Sequence, residues 1–96
     1  MSMNVVAEVR TVVVAIPPGS VMAYGEIGHA LGISPRQAGR AVSLLDDAVP
    51  WWRVIYADGT PATCHAGGAL ALLEAEGVPF REGRVNVAEI QPAHLR

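Results

Sequence analysis

The sequence predicts a mainly α fold, a winged-helix-like helix-turn-helix domain with a small β wing. Three observations carry that expectation. Apolar residues recur at helical spacing in segments cut by Pro or Gly stops. Ser34-Pro35-Arg36-Gln37 follows Gly32-Ile33 as a helix start placed directly after a tight turn. A short apolar run, Arg53 to Tyr56, then leads into the turn dipeptide Asp58-Gly59.

The first helix is expected over Asn4 to Ala15, with Val5, Val9, Val12, Val13 and Ile16 on one face and Pro17-Pro18-Gly19 as its stop. So many valines favour a strand by propensity, but Ala7, Glu8 and Arg10 on the opposite face fit a helix. Ser20 to Ala23 reads as an extended link. Tyr24 to Leu31 reads as a second helix with Ile27, Ala30 and Leu31 inward. The third helix starts with Ser34 as N-cap, Pro35 at the first helical position and Gln37 closing a capping box. It runs to about Leu45, burying Ala38, Ala41, Val42 and Leu45. Helix, glycine-containing turn, helix is the helix-turn-helix pattern. Arg53 to Tyr56 is expected as a strand of the wing. A last helix spans Ala66 to Glu76 with Leu70, Leu72 and Leu73 inward and Gly77 as its stop. Val78, Phe80, Val85 and Val87 suggest a hairpin about Glu82-Gly83.

Ninety-six residues, 51% of them apolar, suffice for one core, so residues 1–96 are expected to form a single domain. No run approaches the ~20 apolar residues of a membrane span, and no basic leader precedes Val12 to Pro18. The single cysteine, Cys64, has no internal disulfide partner, which points to a reducing, cytoplasmic location. His29 and His94 share no ligand spacing with each other or with Cys64, so neither a metal site nor a cofactor is expected. A net charge of −2 argues against nonspecific coating of nucleic acid but leaves room for a focused site. All seven basic residues are arginine. Arg36, Arg40 and Ser43 share the outer face of the third helix, with Gly39 beside them. Small residues let such a face approach a groove, and arginine suits phosphate or stacked bases. The same face is equally well read as an ordinary solvated helix surface.

Four blocks resemble the O6-alkylguanine-DNA alkyltransferases. Ile16 to Ile27 resembles Ile-Pro-x-Gly-x-Val-x-x-Tyr-Gly-x-Ile. Gly39-Arg40-Ala41-Val42 resembles the family's recognition-helix segment. Pro50-Trp51-Trp52-Arg53-Val54 resembles its Pro-Cys-His-Arg-Val motif, with Trp51 at the nucleophilic cysteine and Trp52 at the activating histidine. Leu72 to Gly77 resembles Leu-Leu-x-x-Glu-Gly. The altered motif is that of the alkyltransferase-like proteins. The resemblance implies the alkyltransferase DNA-binding fold and no catalytic residues. It implies minor-groove binding of duplex DNA containing O6-alkylguanine, with Tyr24 helping to rotate the base out and Arg40 filling the gap.

The DNA-binding residues expected on this basis are Tyr24, Ser34, Arg36, Gln37, Gly39, Arg40 and Ser43. The alkylated-base pocket would be formed by Trp51, Arg53, Tyr24, Cys64 and His65, with Trp51 as the wall that meets the base. Trp52, next in the chain, is expected to point the opposite way and pack; Arg53 is expected to make structural hydrogen bonds. Glu76, which in transferases orients the histidine, is expected to be structural. Resemblance to the alkyltransferase-like proteins implies that the lesion is handed to nucleotide excision repair proteins, and a monomer is expected here. Asp46-Asp47-Ala48-Val49 departs from the family's Asn-Pro run and sets two carboxylates near a DNA face. The rival readings are a generic winged-helix DNA-binding protein, an active transferase using Cys64 with His65 adjacent, and an interaction module without a DNA role.

Overall fold

The computed structural model describes residues 3–90; His94 lies outside them. Helix α1 spans Met3–Val14. Val9 and Val13 are fully buried and Ile16 follows just past its end. Burial of one valine stripe against α3 overrides the weak intrinsic propensity of valine for helix. Helix α2 spans Tyr24–Leu31, its first turn held where the Ala23 amide donates to Glu26 Oε1 at 2.8 Å. Gly32 closes it at φ 71°, a left-handed conformation that a side chain would resist.

Helix α3 spans Pro35–Ser43, ending slightly before Leu45. Its capping box is complete: the Gln37 amide donates to Ser34 Oγ at 3.1 Å, and the Ser34 amide donates to Gln37 Oε1 at 2.9 Å. Ala38, Ala41, Val42 and Leu45 are all buried, as the spacing predicts. In α2, by contrast, Ala30 is exposed; Tyr24, Ile27 and Gly28 are the buried residues of that short helix. The α2–α3 turn is tight because the Ile33 amide donates to the Gly28 carbonyl at 2.9 Å.

The wing differs from the expected strand. Trp51–Arg53 is a single 3₁₀ turn, and only Val54–Ile55 is extended, as strand β2. It pairs in parallel with β1, Met22–Ala23, in the register Met22↔Val54 and Ala23↔Ile55. The link before α2 is therefore itself a strand. An antiparallel bridge from Ile55 to Pro61 spans the Asp58-Gly59 turn. Helix α4 spans Ala69–Ala75. It starts later than Ala66 because His65, Ala66, Gly67 and Gly68 all have positive φ, which no right-handed helix tolerates. So short a helix buries one i, i+4 stripe, Ala69 and Leu73, which leaves Leu70 and Leu72 exposed.

Strands β3, Phe80–Arg81, and β4, Arg84–Val85, form the expected hairpin. An isolated hairpin is marginal, and this one is docked: the Val85 amide donates to the Gly59 carbonyl at 2.8 Å. Gly59 has φ +90°, and a Cβ there would lie 2.6 Å from the Val85 carbonyl oxygen. Two packed clusters result. One joins α1, α2 and α3 to Val49, Trp51 and Val54. The other gathers Ile55, Leu73, Val78 and Val85, and Trp52 packs against both. Among the described residues no helix is long and apolar enough to cross a membrane.

Candidate nucleic-acid interface

The outer face of α3 is exposed and carries positive charge. Arg36, Arg40 and Ser43 are exposed, and the cap leaves Ser34 and Gln37 at the helix N-terminus, each occupied by the other. Among the described residues no hydrogen bond or ion pair holds the Arg36 or Arg40 guanidinium. Beside this face lies a hollow of about 470 Å³ lined by Tyr24, Arg36, Gly39, Ser43, Tyr56, Thr63 and Cys64. That volume falls within the usual range for small-molecule sites. Gly39 lies against the Tyr24 ring: a Cβ there would sit 3.7 Å from it, an ordinary contact distance. Of the expected residues, the fold therefore brings Tyr24, Arg36, Gly39, Ser43 and Cys64 to one concavity.

Tyr24 is 6% exposed. Its ring lies 5.0 Å from that of Tyr56, tilted by 54°. Its pKa is raised well above the ordinary tyrosine range, first by burial and then by the neighbouring Cys64 and Tyr56. Tyr24 is therefore a neutral phenol at any physiological pH. Tyr56, which the sequence offered only as the end of a wing strand, is 42% exposed and lines the hollow. Strand alternation gives no signal for it, since Val54 and Ile55 are consecutive and both buried.

Trp51, Arg53 and His65, which were expected with Tyr24 and Cys64 in one pocket, do not line this hollow. Trp51 is 3% exposed. Its Nε1 donates to Asp47 Oδ1 at 3.1 Å, and its ring stacks on His65 at 4.2 Å and 11°. The 3₁₀ turn explains the change. Three residues per turn, rather than alternation, bring consecutive side chains together, and Trp51 and Trp52 meet edge to face at 5.9 Å instead of pointing apart. Trp51, expected as the wall that meets the base, is instead packed into the core cluster. Arg53 sits behind it, donating to Glu76 through Nε at 3.0 Å and to the Ile16 carbonyl through Nη1 at 2.9 Å. Its structural role is thus as expected, but its place is away from the hollow. The Trp52 Nε1 donates to Glu76 Oε2 at 3.1 Å, so Glu76 serves the tryptophan that stands at the histidine position. The Arg53 hydrogen bonds, ahead of the others, hold the Glu76 carboxyl below the ordinary glutamate pKa.

The two aspartates that would repel phosphate are both occupied. Asp46 pairs with Arg10 at 3.5 Å, and Asp47 accepts from Trp51. Cys64 and His65 do meet: Sγ lies 3.0 Å from Nδ1. His65 Nε2 faces the Leu45 carbonyl, an acceptor only, so Nε2 carries the proton and Nδ1 is free to accept. Yet burial pushes the Cys64 thiol pKa up, opposite to what an activated nucleophile needs. No group of three or more His, Cys, Asp or Glu able to hold a metal occurs among the described residues.

Comparison with known proteins places the fold. The family model described as 6-O-methylguanine DNA methyltransferase, DNA binding domain, matches residues 4–78. A crystal structure of Schizosaccharomyces pombe Atl1 in complex with damaged DNA containing O6-carboxymethylguanine is similar at 31% identity. It covers 95% of this chain and 97% of that one, with a TM-score of 0.78. A second S. pombe structure, ATL in complex with DNA, is similar at 30% identity with the same coverage and a TM-score of 0.76. The Mycobacterium tuberculosis O6-methylguanine methyltransferase is 29% identical over 99% of this chain but only 55% of its own, with a TM-score of 0.67. No curated protein sequence matches. With its family match, its four-helix architecture and a tryptophan at the nucleophile's place, the chain belongs to the 6-O-methylguanine DNA methyltransferase DNA-binding family, in its alkyltransferase-like form.

Proposed function

We propose that this protein is a non-enzymatic sensor of O6-alkylguanine in duplex DNA. It binds through the minor groove with α3, rotates the lesion out past Tyr24 with Arg40 occupying the vacated stack, and marks it for nucleotide excision repair. The observation that carries this reading is the division of labour around Trp51. The nucleophile's place holds an indole that is buried and hydrogen-bonded. The DNA-facing helix beside it keeps two unpartnered arginines and an open concavity. Such a site can hold a base without altering it. Unstacking a base costs on the order of a few kcal/mol, and less when it is damaged; a guanidinium in the gap recovers part of that. The similarity to Atl1, solved on damaged DNA, supports the same reading.

The test is titration of matched duplexes carrying O6-methylguanine or guanine, followed by intact-protein mass. Tighter binding to the lesion with unchanged mass is the expected outcome. Arg40→Ala is expected to weaken lesion binding at least tenfold at unchanged thermal stability, since its side chain holds nothing in the fold. Equal affinity of the parent protein for both duplexes would instead identify a generic winged-helix binder.

A second reading, transfer of the alkyl group to Cys64, is favoured by one observation, the 3.0 Å approach of its Sγ to His65 Nδ1. It requires the O6–carbon bond to break as an S–carbon bond forms, with the thiol proton passing to His65. The raised thiol pKa opposes it. A permanent mass gain of one methyl group would establish it.

A further inference from the structure

We propose that Tyr56, and not Trp51, is the aromatic face on which the extruded alkylguanine stacks. The inference rests on the sensor reading above and says which residue holds the base. A base can stack only on a ring with a free face. Trp51 has none available: it is 3% exposed, one face lies on His65, and its edge meets Trp52. Trp52 is packed between the two clusters, with the Arg53 guanidinium 5.5 Å above its ring. Tyr24 is 6% exposed, tucked against Tyr56 and Gly39. Tyr56 alone among these rings combines 42% exposure with a place in the wall of the hollow.

Its position is also fixed in advance. The Tyr56 amide donates to the Thr60 carbonyl at 2.9 Å, and its own carbonyl accepts from the Gly59 amide at 2.9 Å. The Thr60 amide in turn donates to Asp58 Oδ1 at 3.0 Å. Gly59 is pinned from outside by Val85. The ring thus stands on a hydrogen-bonded turn backed by the C-terminal hairpin, and Tyr24 leans on one side of it. Little ordering remains when a planar ligand arrives, which favours affinity. Arg36 and Ser43 of α3 line the same hollow, able to meet the phosphate of the extruded nucleotide.

The experiment compares the full chain with Tyr56→Leu and Tyr56→Phe on three duplexes, carrying O6-methylguanine, guanine or an abasic site at one position. Tyr56→Leu is expected to weaken lesion binding by roughly 5- to 100-fold and to leave abasic binding unchanged, because the abasic site offers nothing to stack. Tyr56→Phe is expected to bind the lesion like the parent, since the ring and not the hydroxyl carries the contact. Parent-like lesion binding by Tyr56→Leu overturns the proposal. So does an equal loss on the lesion and abasic duplexes, which would make Tyr56 a backbone contact. If the parent itself binds lesion and guanine alike, the sensor reading fails and takes this proposal with it, an outcome distinct from both. A measurement on the unsubstituted protein stands beside these: irradiation of a duplex bearing 6-thioguanine at the lesion position. Cross-linking to the peptide containing Tyr56 is expected, and cross-linking to Trp51 without Tyr56 overturns the assignment.

Discussion

Glu76 ties together the segment that carries the two adjacent tryptophans. Its carboxylate takes both Arg53 and the Trp52 indole, and also faces the Gly19 amide at 3.4 Å. The Arg53 and Glu76 side chains are 12% and 15% exposed, so the pair is poorly screened. Replacing Glu76 with Gln would leave the Arg53 charge without a counter-ion in that half-buried place. The expected cost is about 2–3 kcal/mol, toward the low end for removing one partner of a buried pair because both keep some water. Urea unfolding measures it, and a loss below about 0.5 kcal/mol would show the pair to be no better than a surface bridge. The pH dependence has a definite sign. Because the folded-state pKa of Glu76 is lowered, its contribution is present above the ordinary glutamate value of about 4.3 and is lost as pH falls through the lowered one. The parent should therefore lose more stability than Glu76→Gln on acidification below about pH 4.

The elements differ in how far the sequence reveals them, and the difference is physical. Helix α3 was legible throughout, because a Ser-Pro-x-Gln start and an i, i+3, i+4, i+7 stripe are local signals that packing did not overrule. Trp51–Arg53 was not legible: a motif identifies which residues stand together, but the 3₁₀ turn that aims them depends on Arg53 reaching Ile16 and Glu76, far along the chain. The same holds for Tyr56, whose exposure depends on Ile55 being claimed by the second cluster. Tight approach between elements is likewise invisible in a local pattern. In α2, Gly25 and Gly28 look alike in sequence, yet a Cβ on Gly25 meets nothing within 4 Å, whereas one on Gly28 would lie 2.5 Å from the Ile33 carbonyl oxygen. Their alanine variants should therefore move in opposite directions. Gly25→Ala should stabilise by up to about 1 kcal/mol through helix propensity. Gly28→Ala should destabilise by roughly 1–3 kcal/mol, because the α2–α3 backbone must part to admit the methyl group. Thermal unfolding of the two variants decides it, and a shared sign would mean that α2 and α3 do not approach this closely.

At the scale of the molecule, the charge arrangement sets how DNA is held. The chain carries a net charge of −2, so attraction to DNA cannot come from a general positive field. It has to come from the few cations left unspent, and the fold pairs three of the arginines elsewhere, while Arg81 of the β3–β4 hairpin makes no ion pair among the described residues. Arg53 is bound to Glu76, Arg10 to Asp46, and Arg84 lies 3.9 Å from Asp58. On the α3 face Arg36 and Arg40 remain; Arg10 offsets Asp46, whereas Asp47 accepts from the neutral Trp51 indole and keeps its charge. Each phosphate neutralised adds about 0.9 to the slope of log affinity against log salt. With about two cations engaged, that slope should be near −2 in magnitude, far shallower than for a protein that coats DNA. Arg36→Ala should reduce it by about one and weaken lesion and undamaged duplexes alike, as a phosphate contact does. Arg40→Ala should act mainly on the lesion complex if its guanidinium lies in the base stack and not on the backbone. Affinity measured from low to moderate salt for the parent and both variants separates the two roles. A parent slope near zero would remove phosphate from the interface, while a slope steeper than about −5 would require a DNA surface larger than α3 and its hollow.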